Sequence, residues 1–215
     1  DMINKKQIET LENAFNIKIT KQIIFKLNIW EEFFLKYNSH TNLMSKNDIP
    51  LLFEKHVFDS LAILKWDKFK QNKTILDVGC GGGFPGVILS IFNPDIKIIE
   101  NDSRIKKINF IKEIKEKLNL ENLEILYSRI EEVPPLNVDL IVSRAVGKMI
   151  DVWELSKKHL KKNGYFVIYK SKLLNEEINE FNSKYKNTNQ KTIKYTLPLN
   201  EQFDRSLIVL KLLSV

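Results

Sequence analysis

The twelve-residue run ILDVGCGGGFPG, from Ile75 to Gly86, is where residue types and spacing in this chain best suit a ligand. Gly79, Gly81, Gly82 and Gly83 follow an apolar stretch and favour neither strand nor helix. Geometry explains them: glycines let the chain turn sharply and let a ligand meet bare backbone where a Cβ would collide. Pro85 fits the first turn of a following helix, where its missing N–H costs nothing. Strand, glycine turn and helix in this order place the ligand at the carboxyl end of the strand. Two ligand classes compete for the turn. Gly81, Gly83 and Gly86 satisfy G-x-G-x-x-G, the spacing that aims helix N–H groups at a dinucleotide pyrophosphate. Asp77, two residues before the first glycine, argues the other way. A carboxylate at the mouth repels a pyrophosphate and attracts the α-ammonium and sulfonium of S-adenosylmethionine, so the charge asymmetry favours the methyl donor. Glu100 stands about twenty residues beyond the turn, after a second strand, where an acidic side chain accepts hydrogen bonds from the ribose hydroxyls of either ligand. Asp102 is a nearby alternative, read more simply as a cap for the next helix.

Few other residues invite chemistry. Cys80 is the only cysteine, which excludes an intrachain disulfide, and His40, His56 and His159 are far apart in sequence, so no metal site is expected. Of 34 basic residues only Arg104, Arg129, Arg144 and Arg205 are arginines. In a chain that prefers lysine so heavily, an arginine marks a place where a planar, bidentate donor is needed. The net charge of +7 is carried by the ends: 12 basic against 9 acidic residues in 1–73, 10 against 11 in 74–150, and 12 against 7 in 151–215. Such an excess suits a polyanion, although the lysine-rich proteins of an AT-rich genome carry the same imprint. Lys157, Lys158, Lys161 and Lys162, extended by Lys5, Lys6, Lys170 and Lys172, form the candidate RNA surface, with a solvated helix face as the alternative.

The elements that must position these residues follow from periodicity. From Lys5 to about Leu64 apolar residues recur at helical spacing, as in Ile23, Leu27, Trp30 and Phe34, with breaks expected at Asn38 to Asn42 and Asn47 to Pro50. Short apolar runs then alternate with amphipathic ones. Strands are expected at 74–78, 96–99, 123–127, 138–142 and 165–169, and helices at 85–92, 103–118 and 149–160. This is the rhythm of a doubly wound α/β fold, a mostly parallel sheet covered on both faces. In the tail, a helix at 172–185 precedes strands at 191–197 and 206–212 with no helix between them, which predicts an antiparallel finish at the sheet edge. Residues 182–190 read as a flexible loop. The division expected is a helical extension over 1–70 and an α/β domain over 71–215. No stretch approaches the roughly 18 unbroken apolar residues of a membrane span, and residues 1–6 lack a signal-peptide core, so a cytoplasmic protein is expected.

Asp77 to Gly86 resembles the D-V-G-x-G-x-G-F-P-G turn of the bacterial glucose-inhibited division protein B family, the small-subunit ribosomal RNA guanine-N7 methyltransferases. Asn42-Leu43, His56 with Asp59-Ser60-Leu61, Ser128-Arg129-Ile130-Glu131 and Ser143-Arg144-Ala145 extend the resemblance along most of the chain. The resemblance implies a Rossmann-like class I S-adenosylmethionine-dependent methyltransferase fold with an N-terminal helical extension. It implies S-adenosylmethionine as methyl donor and, as acceptor, a guanine of the conserved loop near the decoding site of 16S rRNA, presented as RNA or small subunit to a monomer. Carried over by residue, Gly79 and Phe84 are donor contacts beside Asp77 and Gly81. Ile130 and Glu131 flank the adenine, and Arg144 pairs with the methionine carboxylate or an RNA phosphate. Arg129, Lys170 and Arg205 belong to the RNA-facing rim. Lys170-Ser171 replaces the usual Lys-Gly, and Asp204 stands where glycine usually precedes the arginine, so the rim departs from the family. The family tolerates small residues at Cys80, which makes it a spacer.

The mechanism expected is transfer by alignment. Guanine N7 has an in-plane lone pair and no proton to lose, so proximity does the work, no residue acts as general base, and Arg144 positions. No Asp-Pro-Pro-Tyr follows the fourth strand, where an amino-group methyltransferase holds its base, and Pro134-Pro135 lies before that strand without the tyrosine. Two other functions compete. A small-molecule methyltransferase needs a deep apolar acceptor pocket and no RNA. A non-enzymatic RNA-binding or assembly factor does not retain donor binding.

Overall fold

The computed structural model describes residues 3–144, 147–171 and 175–212. Helices come first. α1 (Lys5–Phe15) begins at Asn4, which exchanges side-chain and backbone hydrogen bonds with Gln7, and α2 (Lys21–Thr41) begins at Thr20, whose hydroxyl accepts from the Ile23 N–H. Each ends on an asparagine in the left-handed region, Asn16 and Asn42. α2 buries Leu27, Trp30, Phe34 and Asn38 along one stripe. The break expected over Asn38 to Asn42 falls at the end of that stretch: Asn38 turns inward and its Oδ1 accepts from the Met44 N–H at 2.8 Å, the helix runs to Thr41, and Asn42 caps it. From Ile49 to Lys65 the chain winds through 3-10 and π-helical turns on either side of the short α3 (Asp59–Leu61).

The sheet has β1 (Thr74–Val78), β2 (Lys97–Asp102), β3 (Leu123–Tyr127), β4 (Val138–Arg144), β5 (Leu160–Lys170), β6 (Thr188–Thr196) and β7 (Asp204–Leu212), in the order β3-β2-β1-β4-β5-β7-β6. The first five pair in parallel, and β7 runs antiparallel to both its neighbours. Helices α4 (Gly86–Phe92), α5 (Ile105–Leu118), α6 (Met149–Ser156) and α7 (Asn175–Lys184) cover it. Side chains alternate between two cores, as strands buried on both faces require. Ile75, Ile98, Leu140 and Val167 join α2, α4 and α5 on one face, and Leu76, Ile99, Ile141 and Phe166 join α6 and α7 on the other. The N-terminal helices lie on the first face, where Phe34 of α2 meets Phe110 of α5 edge-on with centroids 5.4 Å apart.

The antiparallel finish at the sheet edge is a β6–β7 pair in which the final strand lies next to β5, so β6, polar at most positions, forms the edge. The tail corrects one detail. Residues 182–190 are largely ordered elements: α7 extends to Lys184 and β6 starts at Thr188, because Tyr185 packs on Trp153 and Phe181 with centroids 5.9 and 4.9 Å away. Polar composition hid that single aromatic anchor. Among the described residues no helix is long and apolar enough to cross a membrane.

Candidate active site

Strand order reverses between β1 and β4, and a ligand crevice opens at the carboxyl ends of strands at such a point. The glycine turn after β1 forms one wall of a cleft of about 720 Å³. The end of β2 contributes Asn101 to Arg104, the segment after β3 contributes Ser128 to Glu131, and Arg144 stands at the end of β4. The helical extension closes the cleft with Leu43, Met44, Ser45, Asp48 and His56. Gly79, Gly81 and Gly83 take φ values of 69°, 56° and 89°, so the turn does need glycine.

Asp77 and Glu100 are not at the mouth. Both are fully buried and face each other beneath the turn, which corrects the expectation of an acidic lip and of a ribose contact at Glu100. Asp77 Oδ2 accepts from the Gly86 N–H at 2.8 Å, and a Cβ on Gly86 would stand 2.2 Å from Glu100 Oε1. The register pairs Asp77 with Glu100 on neighbouring strands, so their side chains leave the sheet on the same side and share one enclosed space. Among the acids that do line the cleft, Asp102 is the one bonded to the glycine turn. Its carboxylate accepts from the Gly81 N–H at 3.0 Å, from the Arg104 N–H at 2.9 Å, and from Arg104 Nε and Nη2 at 2.8 and 2.7 Å. These bonds hold it ionised and tie β2 to the glycine turn. The available signal for Asp102 was Arg104, one of the four scarce arginines, two residues away.

Burial raises both carboxyls of the pair: Asp77 to about 6, against the lowering pull of its contacts with Glu100 and the Gly86 N–H, and Glu100 well above its ordinary value, where the Asp77 charge adds to the effect of burial. A carboxyl raised in the folded state keeps a proton the unfolded chain has released, so the folded state binds more protons and stability falls as pH rises. The contribution is complete below about pH 4, where the unfolded groups are protonated too, and declines as pH rises through about 6 for Asp77 and beyond for Glu100. Glu100→Gln is therefore expected to flatten the fall in urea-unfolding free energy between pH 5 and 9. A slope equal to that of the parent protein would contradict a raised carboxyl at Glu100.

Phe84, Gly79, Gly81, Ile130 and Glu131 line the cleft as expected. Ile130 is buried with its carbonyl accepting from His159 Nε2 at 2.9 Å, while Glu131 is half-exposed beside Arg129, whose guanidinium lies 3.9 Å away. Arg144 is held on several sides by the helical extension. Its Nη1 donates to the Lys55 carbonyl at 3.1 Å and to Asp59 Oδ2 at 2.9 Å, and its Nη2 donates to His56 Nδ1 at 2.7 Å. Tyr195 donates to the other Asp59 oxygen, and Tyr169 donates to the Ser60 carbonyl at 2.8 Å. The guanidinium lies over the Phe84 ring, 5.0 Å from its centroid. His56 and Asp59, matched in sequence only as a motif, thus form the seat of Arg144 together with the Lys55 carbonyl.

Arg144, His56 and Asp48 also border a second chamber of about 410 Å³, whose walls include Lys55, Lys170 and Arg205. Lys170 and Arg205 therefore converge on this chamber, while Arg129 stays at the cleft. The lysine cluster does not gather here. Lys157 pairs with Glu154, Lys158 donates to the Glu131 carbonyl, and Lys161 pairs with Asp139 near the opposite end of β4. Lys172 lies outside the described residues.

Solved structures with this fold include an O-methyltransferase from Bacillus cereus in complex with SAH, 13% identical with a TM-score of 0.60 over 96% of this chain and 99% of that one. Another is a SAM dependent methyltransferase from Aquifex aeolicus, 22% identical with a TM-score of 0.56 over 78% and 96%. The fold is accordingly the Rossmann-like one of S-adenosylmethionine-dependent methyltransferases. Within that class, the family described as rRNA small subunit methyltransferase G matches residues 23–208, and the chain belongs to it. Relatives named Ribosomal RNA small subunit methyltransferase G include that of Haemophilus influenzae, 36% identical over 96% of this chain and all of the relative. That of Mycoplasma capricolum is 36% identical over 84% of this chain and 79% of the relative.

Proposed function

We propose that this protein transfers a methyl group from S-adenosylmethionine to N7 of a guanine in small-subunit ribosomal RNA, in the conserved 16S loop near the decoding site, as a cytoplasmic monomer. Membership of the rRNA small subunit methyltransferase G family carries the RNA half of this reading. The donor half rests on the cleft. Its volume of about 720 Å³ suits a nucleoside-sized ligand, its floor is bare glycine backbone, and Asp102 offers a carboxylate to ribose hydroxyls. The G-x-G-x-x-G alternative meets an obstacle: the Gly86 N–H, which a pyrophosphate needs at the helix start, already donates to Asp77. Asp77 thus disfavours a dinucleotide by occupying the helix end.

Ile130 and Glu131 stand where an adenine would lie, and Phe84 closes the cleft toward the second chamber. The chemistry asked of the site is one displacement. The N7 lone pair forms the new N–C bond as the C–S bond breaks, and positive charge passes from sulfur to the base. No proton moves, so the residues align the partners. Asp48, which borders both chambers and stays ionised through bonds from Ser45 and Lys55, favours the charge arriving on the base.

Asp102→Ala unlatches the glycine turn and removes the ribose acceptor. Donor affinity by calorimetry is expected to fall on the order of ten- to hundredfold, with little change in kcat at saturating donor. An unchanged affinity would remove Asp102 from the donor site. The function itself is tested with labelled donor, naked 16S rRNA and intact small subunits, mapping the label to a nucleotide. Label on guanine N7 supports the reading. Label on another atom refutes the N7 assignment, and transfer to small molecules alone favours the small-molecule alternative.

A further inference from the structure

The Nε2 atom of His56 is buried and meets no partner among the described residues. The ring stands in the partition between the two chambers. It lines both, tilts against Phe84 with centroids 4.9 Å apart, and is 2.7 Å from Arg144 Nη2 at its Nδ1. A guanidinium has donors only, so Nδ1 must accept, and the proton of the neutral ring sits on Nε2. Burial, reinforced by the Arg144 charge, keeps the ring neutral by lowering its pKa to about 3. His56 therefore holds one fixed N–H donor, buried in the partition and unmatched, and such a donor is costly unless a ligand that presses against the partition completes it.

We propose that His56 is the specificity-determining residue of the acceptor chamber, donating from Nε2 to O6 of the purine whose N7 takes the methyl group. This rests on the functional reading above and narrows it to one contact. A base in the second chamber must turn one edge to the partition, because the donor cleft lies on the other side. On guanine the edge that carries N7 also carries O6, an acceptor; on adenine it carries the 6-amino group, a donor. A fixed donor in the partition matches the first and opposes the second. An imidazole free to change tautomer would accept either base. Arg144 removes that freedom, and the bonds from Arg144 to Asp59 and the Lys55 carbonyl hold the guanidinium itself in place. The chamber, about 410 Å³, has room for a base turned out of its stack. Of its basic wall residues, Lys55 pairs with Asp48 at 3.0 Å and Lys170 with Glu177 at 2.6 Å, which leaves Arg205 to meet a flanking phosphate.

The test is single-turnover methyl transfer to rRNA fragments carrying either guanine or 2-aminopurine at the target position. The analogue keeps N7 and the 2-amino group and lacks O6. The wild-type protein is expected to prefer guanine by a factor on the order of ten to a hundred beyond any intrinsic difference in reactivity. His56→Phe is expected to slow on guanine by a similar factor and to lose most of the preference, while His56→Gln, which can place a donor near the same point, retains part of it. Urea unfolding should give His56→Phe and His56→Gln similar stability, so that the difference between them on guanine separates lost recognition from lost folding. A His56→Phe protein that still prefers guanine by the wild-type factor would overturn the proposal while leaving the methyltransferase reading intact. No transfer by the wild type to guanine RNA would overturn both.

Discussion

Gly86→Ala is expected to destabilise the protein by about 3 kcal/mol or more, the upper range for overpacking a buried site. The added Cβ would lie 2.2 Å from Glu100 Oε1, 2.5 Å from the Glu100 carboxyl carbon and 2.8 Å from Asp77 Oδ2, and these atoms have no free space to enter. Relief requires separating two buried carboxyls that face each other, or shifting the first turn of α4 and breaking the Gly86 to Asp77 hydrogen bond. Gly81→Ala provides the contrast. Its Cβ meets nothing nearer than Arg104 Nη2 at 3.8 Å, so its cost comes from φ 56° alone, about 1 kcal/mol. Urea unfolding of the two variants should differ by about 2 kcal/mol. Equal losses would mean that the pair beneath Gly86 is looser than described. Adding Glu100→Ala to Gly86→Ala should recover part of the loss, since the two changes act on one contact.

Arg144→Ala has a second large effect, expected on both stability and activity. The substitution leaves Asp59, 5% exposed, with Tyr195 as its remaining side-chain donor and frees the His56 ring. Stranding a buried carboxylate in this way costs about 3 kcal/mol or more. Methyl transfer should fall on the order of a hundredfold or more, because Arg144 fixes Phe84 and His56 at the partition where donor and acceptor meet. Arg144→Lys separates the two roles. An ammonium can approach Asp59 but cannot also serve His56 Nδ1 and the Lys55 carbonyl in a plane. It should recover much of the stability and little of the activity. Recovery of both by lysine would show that charge alone matters there.

The fold was legible where strands are buried on both faces. Runs such as Ile75-Leu76 and Leu140-Ile141-Val142 serve two cores at once, and the glycine turn marks where the first strand ends. The antiparallel finish was legible from two strands without a helix between them. The position of β7 was not, because strand order in a sheet is set by long-range pairing that leaves no local mark. At the site, glycines and apolar contacts could be placed from sequence, since backbone shape and hydrophobicity are properties of a residue and its neighbours. The acids could not. Asp77, Glu100 and Asp102 look alike in one dimension, yet register pairs the first two beneath the glycine turn, while Asp102, one pleat further along β2 and at its end, reaches the cleft. The seat of Arg144 was equally hidden, since Lys55, His56 and Asp59 lie more than 80 residues away along the chain.

The central claim is that the cleft between the glycine turn and the end of β2 accepts an adenosine carrying a sulfonium and refuses one carrying a diphosphate. Isothermal titration of the protein with S-adenosylmethionine, with NAD as the competitor, tests it most directly. The account predicts saturable one-to-one binding of S-adenosylmethionine, weakened by Asp102→Ala, and no heat from NAD. Binding of NAD with none of S-adenosylmethionine would contradict it.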